Sequence, residues 1–116
     1  MTPSVVLKNG RPVLVTGSPG ASRIITTALQ IIINSIDLKL PVDEAVAAHR
    51  IHHQWLPDEV SLERGLPPDV IQELEARGHK VVQGVPRTSA NSIAVTPQGV
   101  VGAPDPRTRG SLAAGH

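Results

Sequence analysis

The stretch Thr16-Gly17-Ser18-Pro19-Gly20-Ala21-Ser22-Arg23 indicates where an extended strand is followed by a helix. A run of β-branched and aliphatic residues precedes it, and a long segment with apolar residues at helical spacing follows it. Ser18 suits the N-cap position of a helix, and Pro19 suits the first helical position. The sequence therefore predicts a strand, a tight turn and a helix in succession.

A β-hairpin is predicted before this turn. The dipeptide Asn9-Gly10 lies between two apolar runs, residues 5–8 and 13–16, and favours the tight connection of a two-residue hairpin. Pro12 removes a backbone donor from the second strand. That strand is therefore expected to lie at a sheet edge or to bend at this position.

A helix is predicted over residues 20–37, because apolar and polar residues separate there into two opposite stripes. The β-branched content favours a strand, but the length of the segment and its period of about 3.6 residues favour a helix. The apolar stripe, which is expected to lie on a sheet, consists of Ile25, Ala28, Leu29, Ile32 and Ile36. The polar stripe consists of Arg23, Thr27, Gln30, Asn34 and Asp37.

Shorter helices and strands are predicted along the rest of the chain, separated by turns and loops. The predicted elements are helices over residues 41–48 and 68–77, strands over 59–63 and 79–82, a second hairpin over 92–103, irregular or extended chain over 49–57, a loop over 84–88 and a coil tail over 104–116. Together with the first hairpin and the long helix, they predict an α+β fold with mostly antiparallel strands.

The composition favours a segment that other polypeptide completes, rather than a self-sufficient domain. The chain has 116 residues, of which 40% are hydrophobic, but it contains one Trp and neither Phe nor Tyr. Aromatic side chains normally supply much of the buried area of a small core. Residues 1–116 are therefore predicted to form one incomplete domain with an aliphatic core.

Charge and residue usage exclude several classes of partner. The formal net charge is +1, and no basic patch is interleaved with aromatic residues, so no nucleic-acid partner is expected. There is no cysteine for a disulfide or a thiol nucleophile, and apolar runs such as residues 31–33 are far too short to span a membrane. Residues 1–4 lack the features of a signal peptide, so the localisation is left unknown.

The backbone amides of Gly20 and Ala21 are the first candidates for chemistry. The first amides of a helix have no partner within the helix, and Pro19 has no amide hydrogen. Gly20 and Ala21 are therefore the first free donors at a positive helix end, where an anion or a developing oxyanion can bind. The alternative is an ordinary helix start, in which the Ser18 side chain takes one of these donors.

A metal site formed by His49, His52 and His53 is the second candidate, with Asp58 and Glu59 nearby in the sequence. Adjacent residues of an extended strand point to opposite faces, which argues against convergence of His52 and His53 on one ion. The structural alternative is a group of histidines packed beside Trp55. We therefore expect neither a metal nor a cofactor.

Hydroxyl side chains and one acidic turn complete the set of candidates. Ser22, Thr88, Ser89 and Ser92 have no nucleophile-elbow context and no evident base partner, so none is predicted to be a nucleophile. Ser22 is expected to cap the helix. The segment Asp105-Pro106-Arg107 is expected to form a local turn with a weak, structural ion pair.

Several stretches together resemble one protein family. The segment from Thr16 to Thr27 looks like its oxyanion-loop motif, and His52-His53-Gln54-Trp55-Leu56-Pro57-Asp58 resembles a second long motif. Shorter matches follow in the same order: Leu74-Glu75-Ala76-Arg77-Gly78-His79, Ser92-Ile93, Gly102-Ala103, Asp105-Pro106-Arg107 and Ala114-Gly115-His116. The chain resembles the C-terminal part of the small subunit of gamma-glutamyltranspeptidase, also called glutathione hydrolase.

The resemblance implies a fold and a reaction. Members of this family are N-terminal-nucleophile hydrolases with a four-layer αββα sandwich, of which this chain would form a part. Their precursor cleaves itself, and the new N-terminal Thr attacks a gamma-glutamyl amide, with its own amine as the base. The acyl group then passes to water or to an amino acid, as in glutathione breakdown.

The resemblance also implies which site residues this chain has. The family's oxyanion hole uses the amides of two consecutive glycines after Ser-Pro. Gly20 matches the first, and Ala21 stands where the second is expected. An alanine keeps the amide donor and is expected to adopt a helical φ and ψ without strain, although its methyl group could crowd the acyl group.

The catalytic Thr and the Ser-Ser pair that binds the substrate carboxylate would lie before Met1, and an Arg of the large subunit is also missing. We therefore expect a gamma-glutamyltransferase segment that is inactive alone. Its partners would be the upstream part of the small subunit and the large subunit, with gamma-glutamyl substrates bound only by the completed enzyme. The alternative is a non-catalytic interaction module that pairs with a partner carrying the Thr.

Overall fold

The computed structural model describes residues 3–84 and 88–115. In chain order the elements are β1 (Ser4–Lys8), β2 (Arg11–Gly17), α1 (Arg23–Ile32), a π-helical segment (Ile33–Asp37), α2 (Val42–Ala47), β3 (Ile51–His52), β4 (Val60–Glu63), α3 (Pro68–Ala76), β5 (Val81–Gly84), β6 (Asn91–Thr96) and β7 (Gly99–Ala103). The α+β class is therefore confirmed. Residues 85–87 of the loop predicted over residues 84–88, and His116 of the C-terminal motif, lie outside the described residues.

The described residues form two compact units, Met1–Ala48 with Thr88–His116, and His49–Arg87. The first unit contains a four-stranded antiparallel sheet with strand order β1-β2-β6-β7. Both predicted hairpins are present in it, and Asn9 and Gly10 have φ values of 52° and 74° at the first turn. These left-handed values explain why Asn and Gly occupy the turn.

Strand β2 lies inside this sheet, so the expectation of an edge strand at Pro12 was wrong. The alternative expectation, a bend, is confirmed, because the register of β1 and β2 shifts between Val6 and Leu7, where Leu7 pairs with Pro12. Strand β2 pairs with β6 only from Leu14 to Gly17. The missing amide of Pro12 therefore costs no bond to β6.

The core of the first unit lies between its sheet and the helices α1 and α2. The buried cluster is aliphatic, as the composition predicts, and consists of Leu14, Ile31, Val42, Val46, Ala90 and Ala103. No helix in the described part of the chain has both the length and the apolar character needed to cross a lipid bilayer.

Helix α1 buries a different face from the one that the sequence predicts. Thr27, placed on the polar stripe, is 2% exposed, whereas Ile25 and Leu29 of the apolar stripe are 74% and 51% exposed. Thr27 can be buried because its Oγ1 lies 3.1 Å from Oγ1 of Thr88, which satisfies both hydroxyl groups. Ile31 is the fully buried apolar residue of this helix.

The second unit is a three-stranded sheet with the order β3-β4-β5 and one helix. Strands β3 and β4 are antiparallel, whereas β4 and β5 are parallel, because α3 forms the crossover between them. Helix α3 ends at Ala76 with Arg77 as its C-cap, and Gly78 follows with a φ of 91°, which suits a glycine after a helix. The mostly antiparallel arrangement that the sequence predicts thus has one parallel exception.

Candidate functional site

The turn between β2 and α1 is the candidate site, and its geometry differs from the prediction. Helix α1 begins at Arg23, with Ser22 at the N-cap, and not at Pro19. Gly20 has a φ of 124° and Ala21 a φ of 50°, so both residues lie outside the right-handed helical region. The expectations of Ser18 as N-cap and of a helical φ at Ala21 were therefore wrong.

Ser18 has another role in the structure. Its side chain is fully buried, and its Oγ donates a hydrogen bond of 2.7 Å to the carbonyl oxygen of Pro19. The hydroxyl therefore holds the peptide group between Pro19 and Gly20 and caps no helix amide. Ser22 occupies the N-cap position, and its side chain makes no capping hydrogen bond.

The first helical hydrogen bonds orient the next peptide group. The amide of Arg23 donates to the carbonyl oxygen of Gly20 at 3.0 Å, and the amide of Ile24 donates to that of Ala21 at 3.1 Å. In a trans peptide the N–H points away from the C=O of the preceding residue. Because the carbonyls of Pro19 and Gly20 are both engaged within the turn, the amides of Gly20 and Ala21 point away from those bonds.

These two amides donate no backbone hydrogen bond within residues 3–84 and 88–115. Two successive amides of this kind, next to the start of a helix, form a small positive surface on which an anion or an oxyanion can be held. The turn thus supplies hydrogen-bond donors.

Thr88 packs directly against the turn. A Cβ placed on Gly20 would lie 2.5 Å from Cγ2 of Thr88, a distance at which real atoms do not coexist. The φ of 124° at Gly20 is also rarely adopted by residues with a side chain. Glycine is therefore required at this position for two independent reasons, neither of which could be read from the sequence.

Two of the candidate hydroxyl groups, those of Thr88 and Ser92, make structural hydrogen bonds. Oγ1 of Thr16 and Oγ of Ser92 lie 2.8 Å apart, and both side chains are buried where β2 pairs with β6. Thr88 bonds to Thr27, as described above. The prediction that none of these side chains is a nucleophile stays a prediction, and their bonds agree with structural roles.

The predicted turn with a structural ion pair is present at Asp105–Arg107, and the pair is buried. Their side chains are 1% and 9% exposed, and Oδ1 of Asp105 lies 3.2 Å from Nη1 of Arg107. Oδ2 of Asp105 accepts a 2.6 Å hydrogen bond from the amide of Ala90. The guanidinium also donates to the carbonyls of Val46, Ala47 and Ala48, at the end of α2.

The histidines lie in the second unit and bond to different groups. Nε2 of His52 lies 3.0 Å from Oε1 of Gln54, and Nε2 of His53 lies 3.2 Å from Oδ1 of Asp58. The ring of His49 lies against Gly65. Among the described residues, no group of three His, Cys, Asp or Glu side chains is arranged to hold a metal ion.

Comparisons with known proteins agree with the resemblance. The family model described as gamma-glutamyltranspeptidase matches residues 1–115. The glutathione hydrolase proenzyme of Escherichia coli (strain K12) is 53% identical over 117 residues, which cover 100% of this chain and 20% of that protein. The acylase ACY 1 proenzyme of Pseudomonas sp. (strain SE83) is 44% identical over 104 residues, which cover 87% of this chain and 18% of that protein.

Comparison with solved structures indicates the same family. The gamma-glutamyltranspeptidase from Pseudomonas nitroreducens superposes with a TM-score of 0.88 at 37% identity, covering 100% of this chain and 62% of that chain. The expected N-terminal-nucleophile hydrolase type of fold is thereby confirmed. The chain spans about a fifth of the length of the curated relatives that it matches. With a family model that covers nearly every residue and relatives at this identity, the chain belongs to the gamma-glutamyltranspeptidase family.

Proposed function

We propose that this chain supplies the oxyanion-binding turn of a gamma-glutamyl transfer site, with the amides of Gly20 and Ala21 as donors. The observation that carries the proposal is the orientation of these two amides, which are directed away from the bonds made by Pro19 and Gly20 within the turn. The family membership supports the reaction class, since its relatives include glutathione hydrolase proenzymes.

The chemistry assigned to the turn is stabilisation of charge. A threonine hydroxyl attacks the carbonyl carbon of the gamma-glutamyl amide, and the electron pair of the C=O bond moves to the oxygen. That oxygen accepts hydrogen bonds from Gly20 and Ala21 until the C–N bond breaks and the amine leaves with a proton. One such donor typically changes kcat by about 100- to 1,000-fold.

The chain alone is proposed to be inactive, because oxyanion donors without a nucleophile do not make an efficient acyl-transfer enzyme. The remaining part of a proenzyme would supply the threonine and the groups that bind the substrate. The exposed aliphatic side chains of α1, Ile25 at 74% and Leu29 at 51%, support a larger assembly in which other polypeptide covers them. The related acylase proenzyme supports acyl transfer as the general reaction class. The related glutathione hydrolase proenzymes support gamma-glutamyl compounds as the substrates.

The test compares the isolated chain with a chimera, in which this chain replaces the matching segment of the E. coli glutathione hydrolase proenzyme. The substrate is gamma-glutamyl-p-nitroanilide, and the parent E. coli enzyme is the positive control. We expect no turnover by the chain alone and measurable turnover by the chimera. Turnover by the isolated chain would contradict the claim of inactivity, and a folded chimera that stays inactive would contradict the catalytic role. In that case the non-catalytic interaction module becomes the better description.

A further inference from the structure

The loop His52–Asp58, here called the Trp55 loop, exposes two large apolar side chains. Trp55 is 76% exposed and Leu56 is 60% exposed. Trp55 is also the one aromatic residue among Phe, Trp and Tyr in the whole chain. An adjacent Trp and Leu that both face solvent leave a large apolar surface in water, which a globular protein ordinarily buries.

Side-chain hydrogen bonds hold the first half of the Trp55 loop in place. Nε2 of His52, a residue that is 6% exposed, lies 3.0 Å from Oε1 of Gln54. Nε2 of Gln54 in turn donates to the carbonyl oxygen of Leu56 at 2.9 Å. A buried histidine is thereby connected, through one amide side chain, to the backbone on the far side of Trp55.

His53 holds the second half of the loop. The amide of Trp55 donates to Nδ1 of His53 at 3.2 Å, so Nδ1 is the acceptor and carries no proton. The proton of the neutral ring is then on Nε2, which donates to Oδ1 of Asp58 at 3.2 Å. The ring of His53 also packs edge-on against His79, with centroids 6.4 Å apart.

The backbone of Trp55 is in a conformation that bulky residues rarely adopt. Its φ is 75°, in the left-handed region where glycine is favoured. The surrounding bonds therefore keep an unfavourable backbone conformation that projects Trp55 into solvent. A large apolar side chain gains no stabilisation from contact with water. The arrangement therefore indicates that another protein surface binds Trp55.

We propose that Trp55 and Leu56 form the central contact between the second unit and the remaining part of the proenzyme, in a pocket of that polypeptide. This inference rests on the proposed function, because it takes the completed enzyme as the partner. About four-fifths of the length of the matched relatives lies outside this chain, so a large surface is available as the occupant.

A second copy of this chain fits less well as the occupant. A buried aromatic side chain contributes about 150–250 Å². Two Trp55 loops facing each other would therefore fall well below the roughly 1,200 Å² that a stable protein interface buries in total.

The net charge of +1 gives no electrostatic reason for a strongly acidic partner. A short apolar contact of this kind is effective at the centre of a larger interface, where Trp is the most enriched residue type.

The single Trp makes the test specific. The isolated chain, labelled with 5-fluorotryptophan, gives one ¹⁹F resonance, and that resonance reports on Trp55. In the chimera described above, the same resonance is assigned by its disappearance in the Trp55→Phe variant. We expect a large difference in its chemical shift between H₂O and D₂O for the isolated chain. The difference should nearly vanish in the chimera, because the ring is then shielded from solvent.

Substitution supplies a second readout. Trp55→Ala is expected to leave the melting temperature of the isolated chain nearly unchanged and to lower that of the chimera by about 2–3 °C. Leu112→Ala is the matched control, since Leu112 is 89% exposed and lies in the tail. It should leave both melting temperatures unchanged.

Each outcome decides the proposal separately from the proposed function. An active chimera in which the resonance stays sensitive to D₂O overturns the Trp55 contact and leaves the oxyanion role standing. An inactive but folded chimera with a shielded ring supports the contact and overturns the oxyanion role. A chimera that fails to fold, when its parent folds, overturns the contact. If the ¹⁹F resonance of the isolated chain shifts with protein concentration, a second copy of the chain binds the Trp55 loop. That result also overturns the proposed contact with the proenzyme.

Discussion

The Cβ position of Gly20 coincides with space that Thr88 already fills, since it lies 2.5 Å from Cγ2 of that residue. The same threonine bonds through Oγ1 to Thr27 of helix α1. Thr88 thus contacts both the turn before α1 and the buried face of α1. The path of the turn, and with it the direction of the Gly20 amide, depends on a residue far away in the sequence.

Gly20→Ala is therefore expected to destabilise the chain by at least about 2 kcal/mol, because a steric clash adds to an unfavourable φ. Gly99→Ala is the matched control. Gly99 has a φ of 131° and nothing within 4 Å of its Cβ position, so that variant carries a similar conformational cost without the clash. Urea unfolding followed by circular dichroism measures both. Equal losses for the two variants would show that Thr88 does not constrain the turn.

Ala21→Gly is expected to stabilise the chain by up to about 1 kcal/mol. Ala21 has a φ of 50°, and a glycine adopts the left-handed region without the steric penalty that a methyl group brings. The greater freedom of glycine in the unfolded chain offsets part of the gain. Ala114→Gly, in the coil tail, isolates that second effect and should not stabilise. The free energy of unfolding in urea is the measurement, and a loss of stability in Ala21→Gly would contradict the assigned conformation.

Ser18→Ala is expected to lower kcat of the chimera by about 10-fold or more, with a smaller change in KM, because the peptide group that carries the Gly20 amide loses its hydrogen bond. Ser111→Ala is the control, since Ser111 lies in the tail of the chain. Steady-state kinetics with gamma-glutamyl-p-nitroanilide separates the two constants. An unchanged kcat in Ser18→Ala would rule out Ser18 as a residue that positions the Gly20 amide.

Asp105→Ala is expected to destabilise the chain by about 3–5 kcal/mol, because it leaves the guanidinium of Arg107 buried without its carboxylate. The amide of Ala90 also loses its acceptor. Arg77→Ala breaks the exposed pair with Glu73 and should cost no more than about 0.5 kcal/mol. Chemical unfolding monitored by circular dichroism compares the two variants. Similar losses would mean that the buried pair is no stronger than a surface pair.

Elements with strong local signals were predicted well from the sequence. Asn9-Gly10 led to the first hairpin, Gly78 marked the end of the third helix, and the period of the long apolar segment led to α1. The turn between β2 and α1 was also located from the sequence, and its role as an oxyanion site stays a prediction. In each case the residues that decide the structure are neighbours in the chain, so a local pattern is sufficient.

The errors have a common physical origin. Thr27 was assigned to the polar stripe because its own residue type is polar, yet Thr88 satisfies its hydroxyl in the core. Ser18 was assigned as a helix cap, yet its hydroxyl bonds to Pro19 and the helix begins later. The ion pair predicted at Asp105 and Arg107 is present, but its burial was not predicted. In these cases the position and bonding of the side chain depended on its burial or on residues that lie far away in the sequence.

The sequence by itself determined the family, the α+β class and the position of the turn that precedes α1, because these depend on residue order and local propensity. Only the tertiary structure decided that Gly20 must be glycine, that Ala21 adopts a left-handed φ and that Trp55 faces solvent. The physical reason is that the space around a residue, and the bonds that hold its backbone, come from side chains brought together by folding.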